Sequence, residues 1–377
     1  MNRRLFFVTN VDHFFISHRL PLALRALKEG YEVWLLAADT GHRKKLEALG
    51  IHFISIPFKR SGLNPFHELK CLGLLFKYYR RYQPDLIHHI TLKAALLGAL
   101  AAKLAFCRQV VNALSGMGYT FTDGRNGRLQ QIILLLIRTA FKSDSFSFIL
   151  QNPDDIGMIR SLHLVPSSHI HLIKGSGVDL NIFRYVPPVK KRKLHILFPA
   201  RILLDKGVLE FIKAAKILRD EVKEQALFLL AGDCDEENLS VLKKEKLIPL
   251  LEPGYIEWLG FQENMYTLFR ESDIVVLPSY REGLPKALIE ACAVGRPIVT
   301  TDAPGCRECV RENWNGFLVP VKDSKFLARA IHKLIEDEKE RIEFGNHSRR
   351  LAEQEFSLTA VVDKHMEIYS NLIGLRE

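Results

Sequence analysis

The stretch from Ser272 to Gly305, SDIVVLPSYREGLPKALIEACAVGRPIVTTDAPG, holds a whole strand–loop–helix–strand unit. Ile274–Leu277 is a short apolar run closed by Pro278 and suits a buried strand. The spacing predicts a helix from about Pro285 to Val294 and a second strand at Pro297–Thr300. Two carboxylates straddle the start of that helix: Glu282 lies outside it, and Glu290 roughly a turn and a half inside. A helix start leaves N–H donors unpaired, here those of Gly283 and Leu284, and Gly283 lets a ligand approach the backbone. Two readings stand side by side. Either Glu282 is a dipole-stabilising cap and Glu290 a solvated face residue, or both carboxylates serve one ligand that also needs an anion pocket.

Working outward, the same alternation fills the second half: strands at Leu194–Pro199, Ala226–Ala231 and Ile256–Leu259, with a helix at Leu209–Arg219. The first half repeats it, with strands at Arg4–Thr9, Glu32–Ala38, Ile51–Ile56, Asp85–Ile90, Val110–Leu114 and Ser145–Gln151. A loop follows the first of these, then a helix at Pro21–Lys28 that Gly30 ends. Short apolar strands alternating with helices predict α/β domains whose parallel sheets are covered on both faces. At 377 residues the chain suits two domains of roughly 180. Pro187-Pro188 and the basic run Lys190–Lys193 mark the expected boundary: residues 1–187, 188–355, and a C-terminal helix at 356–377 packing back toward the first domain. Two Rossmann-like, doubly wound domains facing each other would leave a cleft lined by strand ends, where open α/β sheets bind ligands. Neither half carries a GxGxxG after its first strand, which disfavours a nicotinamide or flavin enzyme.

Composition narrows the class. With 47% hydrophobic and 25% charged residues the chain is a folded soluble type, not a disordered one. Leu5–Val8 is too short for a signal-peptide core, and the best apolar run, Ile132–Ile137, stops at Arg138 far short of the ~20 residues of a membrane span. The six cysteines show no even framework, and Cys306-Arg-Glu-Cys309 has no second CxxC or His pair to complete a zinc site, so free thiols in a reducing cytoplasm are expected. The charge is uneven. Residues 1–190 hold 25 Lys and Arg against 12 Asp and Glu, a net +13, and residues 191–377 hold 28 against 31, a net −3. The first half therefore calls for an acidic partner: nucleic acid, anionic lipid or a phosphorylated substrate.

Several strand ends carry chemistry. Arg201 follows Leu194–Pro199, and Lys206 stands just before the helix that begins near Gly207. A guanidinium, an ammonium and a helix start together suit a diphosphate, unless the two cations only pair with Asp205 and surface acids. The turns Gly175-Ser176-Gly177 and Gly116-Met117-Gly118 could admit a phosphate or simply bend the chain. His88-His89 ends a strand, with Thr91 and Lys93 beyond; strand alternation lets one of the two histidines face the cleft. His13, Ser17, His18 and Arg19 occupy the loop after the first strand, on the same rim.

REGLPKALIE, preceded by SDIVVLPS and followed by GRPIVTTDAPG, resembles the E-x7-E segment of the retaining glycosyltransferases of family 4, which have the GT-B fold. PARILLDKG is similar to that family's diphosphate-binding R-x4-K, IKGSGVDLNIF to its interdomain turn, and WLGF to its nucleotide-contacting loop. PDLIHHITLKAALLG, NALSGMGYTFT and FILQNPDD resemble, more loosely, the subgroup that builds capsules, O-antigens and N-glycan precursors on undecaprenyl diphosphate, including its N-acetylgalactosaminyltransferases. The resemblance implies that Arg201 and Lys206 neutralise the departing donor diphosphate, that Glu282 holds hydroxyls of the transferred sugar and that Glu290 holds the ribose. It gives Gly283, Leu284 and Lys286 the phosphate-facing N–H groups and places Gly177 and Phe261 at the donor. It implies metal-independent transfer with retention by front-face attack, a donor phosphate oxygen taking the acceptor's proton. His89 joins Glu282, Arg201 and Lys206 as a catalytic candidate, and His18, Arg19, His88 and Lys93 are the acceptor-binding candidates. Two departures stand out: the first loop reads Val11-Asp12-His13-Phe14-Phe15 where many relatives have Gly-Gly, and His88-His89-Ile90 replaces an H-x-H.

The expected partners are a nucleotide-sugar donor, a lipid-linked saccharide acceptor and an anionic membrane surface on the cytoplasmic side, with no nucleic acid. LKCLGLLFKYYRRY at Leu69–Tyr82, and Gly124–Lys142 with Arg125, Arg128 and Arg138, are apolar and basic together, as an interfacial helix is. The same pattern fits an ordinary core face with a solvated rim. A soluble enzyme with a small acceptor, an epimerase of the same fold and a basic nucleic-acid-binding protein are the alternatives, and the last gives the E-x7-E pocket no purpose.

Overall fold

The computed structural model describes residues 3–59, 64–116, 128–189, 191–236, 238 and 240–374. Met117, Gly118, Gly124, Arg125 and Lys190, named above, lie outside them. The chain forms two compact units, Met1–Ser176 with Val361–Glu377, and Gly177–Ala360.

In the first unit strands and helices alternate: β1 (Arg4–Val11), α1 (Asp12–His18), α2 (Leu20–Lys28), β2 (Glu32–Ala38), α3 (Arg43–Ala48), β3 (His52–Ser55) and α4 (Pro65–Tyr82). The series continues with β4 (Leu86–Ile90), α5 (Leu92–Leu104), β5 (Val110–Leu114), α6 (Arg128–Phe141), β6 (Phe146–Leu150), α7 (Pro153–Ser161) and β7 (Ile170–Leu172). All seven strands lie parallel in the order β3-β2-β1-β4-β5-β6-β7. Every residue of β4, β5 and β6 is buried, which explains why these strands read as unbroken apolar runs rather than alternating ones.

The segment expected as a loop after β1 is instead the short helix α1. Asp12 starts it: its carboxylate accepts the N–H of His13 at 2.6 Å and also those of Thr40 and His42, at 2.9 and 3.2 Å. Phe15 then closes onto Phe7 with ring centroids 5.4 Å apart. A buried carboxylate with several N–H partners stabilises both the helix start and the neighbouring loop.

The second unit contains β8 (Leu194–Pro199), α8 (Val208–Val222), β9 (Ala226–Ala231), α9 (Lys244–Leu247), β10 (Ile256–Gly260), α10 (Met265–Glu271), β11 (Ile274–Leu277) and α11 (Lys286–Val294). After these come β12 (Ile298–Thr301), β13 (Gly316–Val319), α12 (Ser324–Glu336), α13 (Glu338–Glu355) and α14 (Leu358–Gly374), whose residues from Val361 onward belong to the first unit. Its six strands are parallel in the order β10-β9-β8-β11-β12-β13.

The unit begins at Gly177 rather than after Pro187-Pro188 because the intervening residues are bonded into it. Val178 N–H donates to Phe356 O at 2.8 Å, Arg349 Nη1 to Phe183 O at 3.0 Å and Arg296 Nη2 to Val186 O at 2.8 Å. Arg296 is 1% exposed and meets three backbone carbonyls, which compensates a charge that burial would otherwise penalise. The proline pair marks a composition change, not the seam.

Candidate active site

In the second sheet the chain runs outward from β8 to β9 on one side and from β11 to β12 on the other, so a topological switch point lies between β8 and β11. The loops that leave these two strands are fastened together. Tyr280 N–H donates to Asp205 O at 2.9 Å, and Ser279 Oγ to the same carbonyl at 3.1 Å. Gly207 has φ +77°, and a Cβ there would lie 2.1 Å from Pro278 O, so only glycine lets α8 begin against the β11 loop. The loop after β12 joins from the far side: Glu282 N–H donates to Pro304 O at 2.9 Å. These contacts bring Lys206 Nζ into an ion pair with Glu282, whose side chains are 19% and 13% exposed.

Pro285 is the N-cap of α11, a residue whose own side chain cannot cap the helix. The carboxylate of Glu282 is engaged with Lys206. Glu290 is 7% exposed, with Lys286 Nζ 3.4 Å away, so it is no solvated face residue. Burial raises its carboxyl above the usual range, against the pull of Lys286. Gly283 is buried, and the side chain of Leu284 belongs to the unit's core while its backbone forms the turn into α11.

Arg201 follows β8 and pairs with Asp235 from the loop after β9. Phe261, 70% exposed, follows β10 on the same edge of the sheet, and Gly177, with φ +74°, opens the unit. Arg201, Lys206, Glu282, Glu290 and Phe261 thus all come from the loops or the helix that follow carboxyl ends of parallel strands in one domain.

The first unit treats its candidates differently. His88 and His89 do point to opposite faces of β4, but β4 is an inner strand and both faces are covered by helices. His89 is 0% exposed: its Nε2 meets Tyr79 Oη of α4 at 3.0 Å and its Nδ1 meets Asn112 Oδ1 at 2.8 Å. Burial holds its pKa down to about 4. A Cβ on Gly98 of α5 would fall 2.3 Å from its ring, so the helix carries a glycine to make room. A sealed imidazole with both nitrogens occupied cannot move a substrate proton here, and the catalytic assignment of His89 is corrected to a structural one.

His88, also 0% exposed, bonds Tyr369 Oη through Nδ1 and stacks on His365, ring centroids 5.8 Å apart, both partners belonging to α14. Arg19 is 2% exposed beneath the same helix and donates to His18 O at 3.0 Å. Lys93 is tied to Glu68 at 2.6 Å and to Lys59 O at 2.9 Å. His18 stacks on Phe14 at 4.0 Å and bonds its carbonyl. The acceptor-binding reading of His88 and Arg19 fails on burial: α14 covers both, and its contribution lies 281 positions away from His88 in the chain.

Comparison with known proteins follows the same division. Residues 4–152 match the family described as Glycosyl transferase 4-like, and residues 181–351 match Glycosyl transferases group 1. An N,N'-diacetylbacillosaminyl-diphospho-undecaprenol alpha-1,3-N-acetylgalactosaminyltransferase of Campylobacter jejuni is 31% identical, over 98% of this chain and 99% of that one. The chain belongs to these glycosyltransferases. A UDP-Gal:alpha-D-GlcNAc-diphosphoundecaprenol alpha-1,3-galactosyltransferase of Escherichia coli is 24% identical to the enzyme over 92% of this chain and 90% of its own. Among solved structures, Anabaena HepE in complex with UDP and glucose superimposes with a TM-score of 0.76 at 18% identity, over 98% of this chain and 100% of that one. Sucrose-phosphate synthase of Thermosynechococcus elongatus gives 0.80 at 17% over 99% and 100%. The fold of the glycosyltransferase is GT-B.

Three parts of the site escape a reading of the glycosyltransferase's sequence alone. Asp235 neutralises Arg201, and only its place in the loop after the neighbouring strand could have pointed to it. Gly305, with φ +78°, stands where a Cβ would lie 2.4 Å from Glu282 O, so it fixes the backbone on which Glu282 rides. Cys306 lies beside that carboxylate, 0% exposed, and burial followed by the charge of Glu282 pushes its thiol up to about 12. Such a thiol is inert packing, as are Cys292 and Cys309, both fully buried with no disulfide between them.

Proposed function

We propose that the enzyme transfers a hexose or N-acetylhexosamine, with retention of configuration, from a UDP-sugar to a lipid-diphosphate-linked saccharide during bacterial surface polysaccharide or glycan assembly. The observation that carries this reading is the Lys206–Glu282 pair at the β8/β11 switch point, in the loop that leads into α11. A cation and a helix mouth suit a departing diphosphate, and a carboxylate paired with that cation suits the hydroxyls of the sugar joined to it. Arg201 adds a second cation at the diphosphate and Glu290 takes the ribose hydroxyls. The N–H groups of Gly283, Leu284 and Lys286 face phosphate oxygens, and Gly177 and Phe261 border the donor. With two cations and a helix start at the leaving group, transfer proceeds without a metal ion. The names of the two bacterial relatives support the lipid-diphosphate acceptor, because both act on diphospho-undecaprenol substrates.

The acceptor is presented at the cytoplasmic face of the membrane, with the first unit against anionic lipid. Phe66 and Leu69 of α4 are 84% and 62% exposed, and Leu135 and Leu136 of α6 are 65% and 52% exposed. Lys70, Lys77, Arg80, Arg81, Arg138 and Lys142 are exposed around them. No helix among the described residues is long and apolar enough to cross a membrane.

The test is transfer from a panel of radiolabelled UDP-sugars to a short-chain polyprenyl-diphosphate saccharide, with and without EDTA. One UDP-sugar should label the lipid product in the wild type, and Lys206→Ala should abolish labelling. Transfer to a free sugar phosphate but not to the lipid would favour a soluble enzyme with a small acceptor. Loss of activity in EDTA, restored by a divalent cation, would overturn metal independence.

A further inference from the structure

The charged groups around the helix mouth are already partnered within the protein. Lys206 is held by Glu282, Lys286 lies against Glu290, and Arg201 is held by Asp235. The first two carboxylates have roles at the sugar and the ribose in the reading above. Asp235 has none, yet the fold goes to some length to place it.

Four backbone features lace the loop after β9 along the segment that follows β8. Ile202 N–H donates to Asp233 O at 3.0 Å, Leu204 N–H to Ser240 O at 2.7 Å, and Leu242 N–H to Ile202 O at 3.1 Å. Gly232 lets the two strand ends meet, for a Cβ there would lie 2.0 Å from Ala200 O. Asp235 is therefore fixed beside Arg201, with its side chain 13% exposed against 41% for the arginine. A solvated surface pair would show two mobile, exposed partners. Here one partner is anchored and half-buried, and the other reaches out to it.

We propose that Asp235 is a built-in counter-ion that occupies Arg201 and is exchanged for the diphosphate when a nucleoside diphosphate or its sugar binds. This rests on Arg201 being a diphosphate ligand. Two anions compete for one guanidinium, so the carboxylate weakens donor binding and, by the same amount, weakens the hold on the nucleoside diphosphate product. It tunes release rather than chemistry.

The experiment is calorimetric titration of UDP into wild type, Asp235→Asn, Arg201→Ala and the double variant, each first checked for an unchanged thermal midpoint. Arg201→Ala should weaken UDP by about tenfold or more. Asp235→Asn should bind it about two- to fivefold tighter, the range expected for removing a partly exposed competing ion pair. On the Arg201→Ala background the Asp235→Asn change should have no effect. A merely structural aspartate gives the opposite sign, because loosening the loop weakens binding. Unchanged or weaker binding in Asp235→Asn, with Arg201→Ala weakened, overturns the proposal. Unchanged binding in Arg201→Ala instead removes Arg201 from the donor site and with it the premise. If Asp235→Asn lowers the thermal midpoint, Asp235→Ser replaces it, and steady-state kinetics supply the same discrimination: KM for the donor should fall while kcat does not rise.

Discussion

Glu282 and Lys206 neutralise one another, so removing either leaves a partly buried charge without its partner as well as a gap in the site. Lys206→Ala and Glu282→Gln should each lower kcat by roughly 100-fold or more, as loss of a group that meets developing charge does. Circular dichroism should stay near that of the wild type, because neither side chain supports the core, while the melting temperature should fall modestly on account of the unpaired charge. Wild-type turnover in either variant would remove both from the site. Glu290 offers a pH test. Burial raises its carboxyl, so it takes up a proton at a higher pH than an ordinary glutamate. Donor affinity that depends on the carboxylate should therefore fall with acidification, and begin to fall at a higher pH than an ordinary glutamate would set. Glu290→Gln should bind UDP more weakly and lose this acid limb; an unaltered limb would assign it to another group.

At the scale of elements, the histidines of β4 have become packing devices with predictable failures. Gly98 of α5 sits where a Cβ would lie 2.3 Å from His89, so Gly98→Ala should destabilise the first unit by about 1–3 kcal/mol despite alanine's better helix propensity. Urea unfolding measures this, and a stabilised variant would show that the ring can move aside. The α14 contact predicts acid lability. Arg19 from the α1–α2 junction, His88 of β4, His365 and Tyr369 of α14, and Tyr31 ahead of β2 are the titratable groups assembled there. The Nε2 atoms of His88 and His365 have no hydrogen-bond partner. Burial, then the charge of Arg19, holds His88 well below its ordinary value and His365 down to about 3. Both histidines are neutral when α14 is docked and titrate near 6.5 when it is released, so protonation favours release. Docking is at full strength above pH 6.5 and weakens as the pH falls below it, by roughly tenfold per pH unit for each histidine. Hydrogen exchange of α14 amides between pH 7 and 5 reports this, and His365→Leu should flatten the response. The strands and their helices were legible in advance because parallel-sheet strands are apolar runs punctuated by glycine and proline, and Arg201, Lys206, Glu282 and Glu290 follow such runs. The fates of His88 and Arg19 were not, because what covers them arrives from the far end of the chain, and sequence periodicity carries no information about which helix will lie on a given face.

For the whole molecule the uneven charge is the property that sequence already fixes, with a net +13 in residues 1–190 and −3 in the remainder. If the first unit meets anionic lipid, co-sedimentation with phosphatidylglycerol vesicles should be strong at low salt, fall as salt rises and vanish on neutral phosphatidylcholine. Lys70→Glu with Arg81→Glu should reduce it, and Phe66→Ser should reduce the part that survives in salt. Vesicle binding indifferent to all three would leave the basic surface as a solvated rim. The same scale exposes a consequence of how the chain is threaded. The first unit is completed by residues 361–374, so the second is an insert with two covalent junctions, one inside Gly175-Ser176-Gly177 and one early in α14. A clean break at the proline pair would cut through bonded structure on one side and strip the lid from Arg19 on the other. If the second unit holds the donor as proposed, one nucleotide-sugar preference is traded for another by transplanting residues 177–360 as a cassette and keeping the recipient's own last helix.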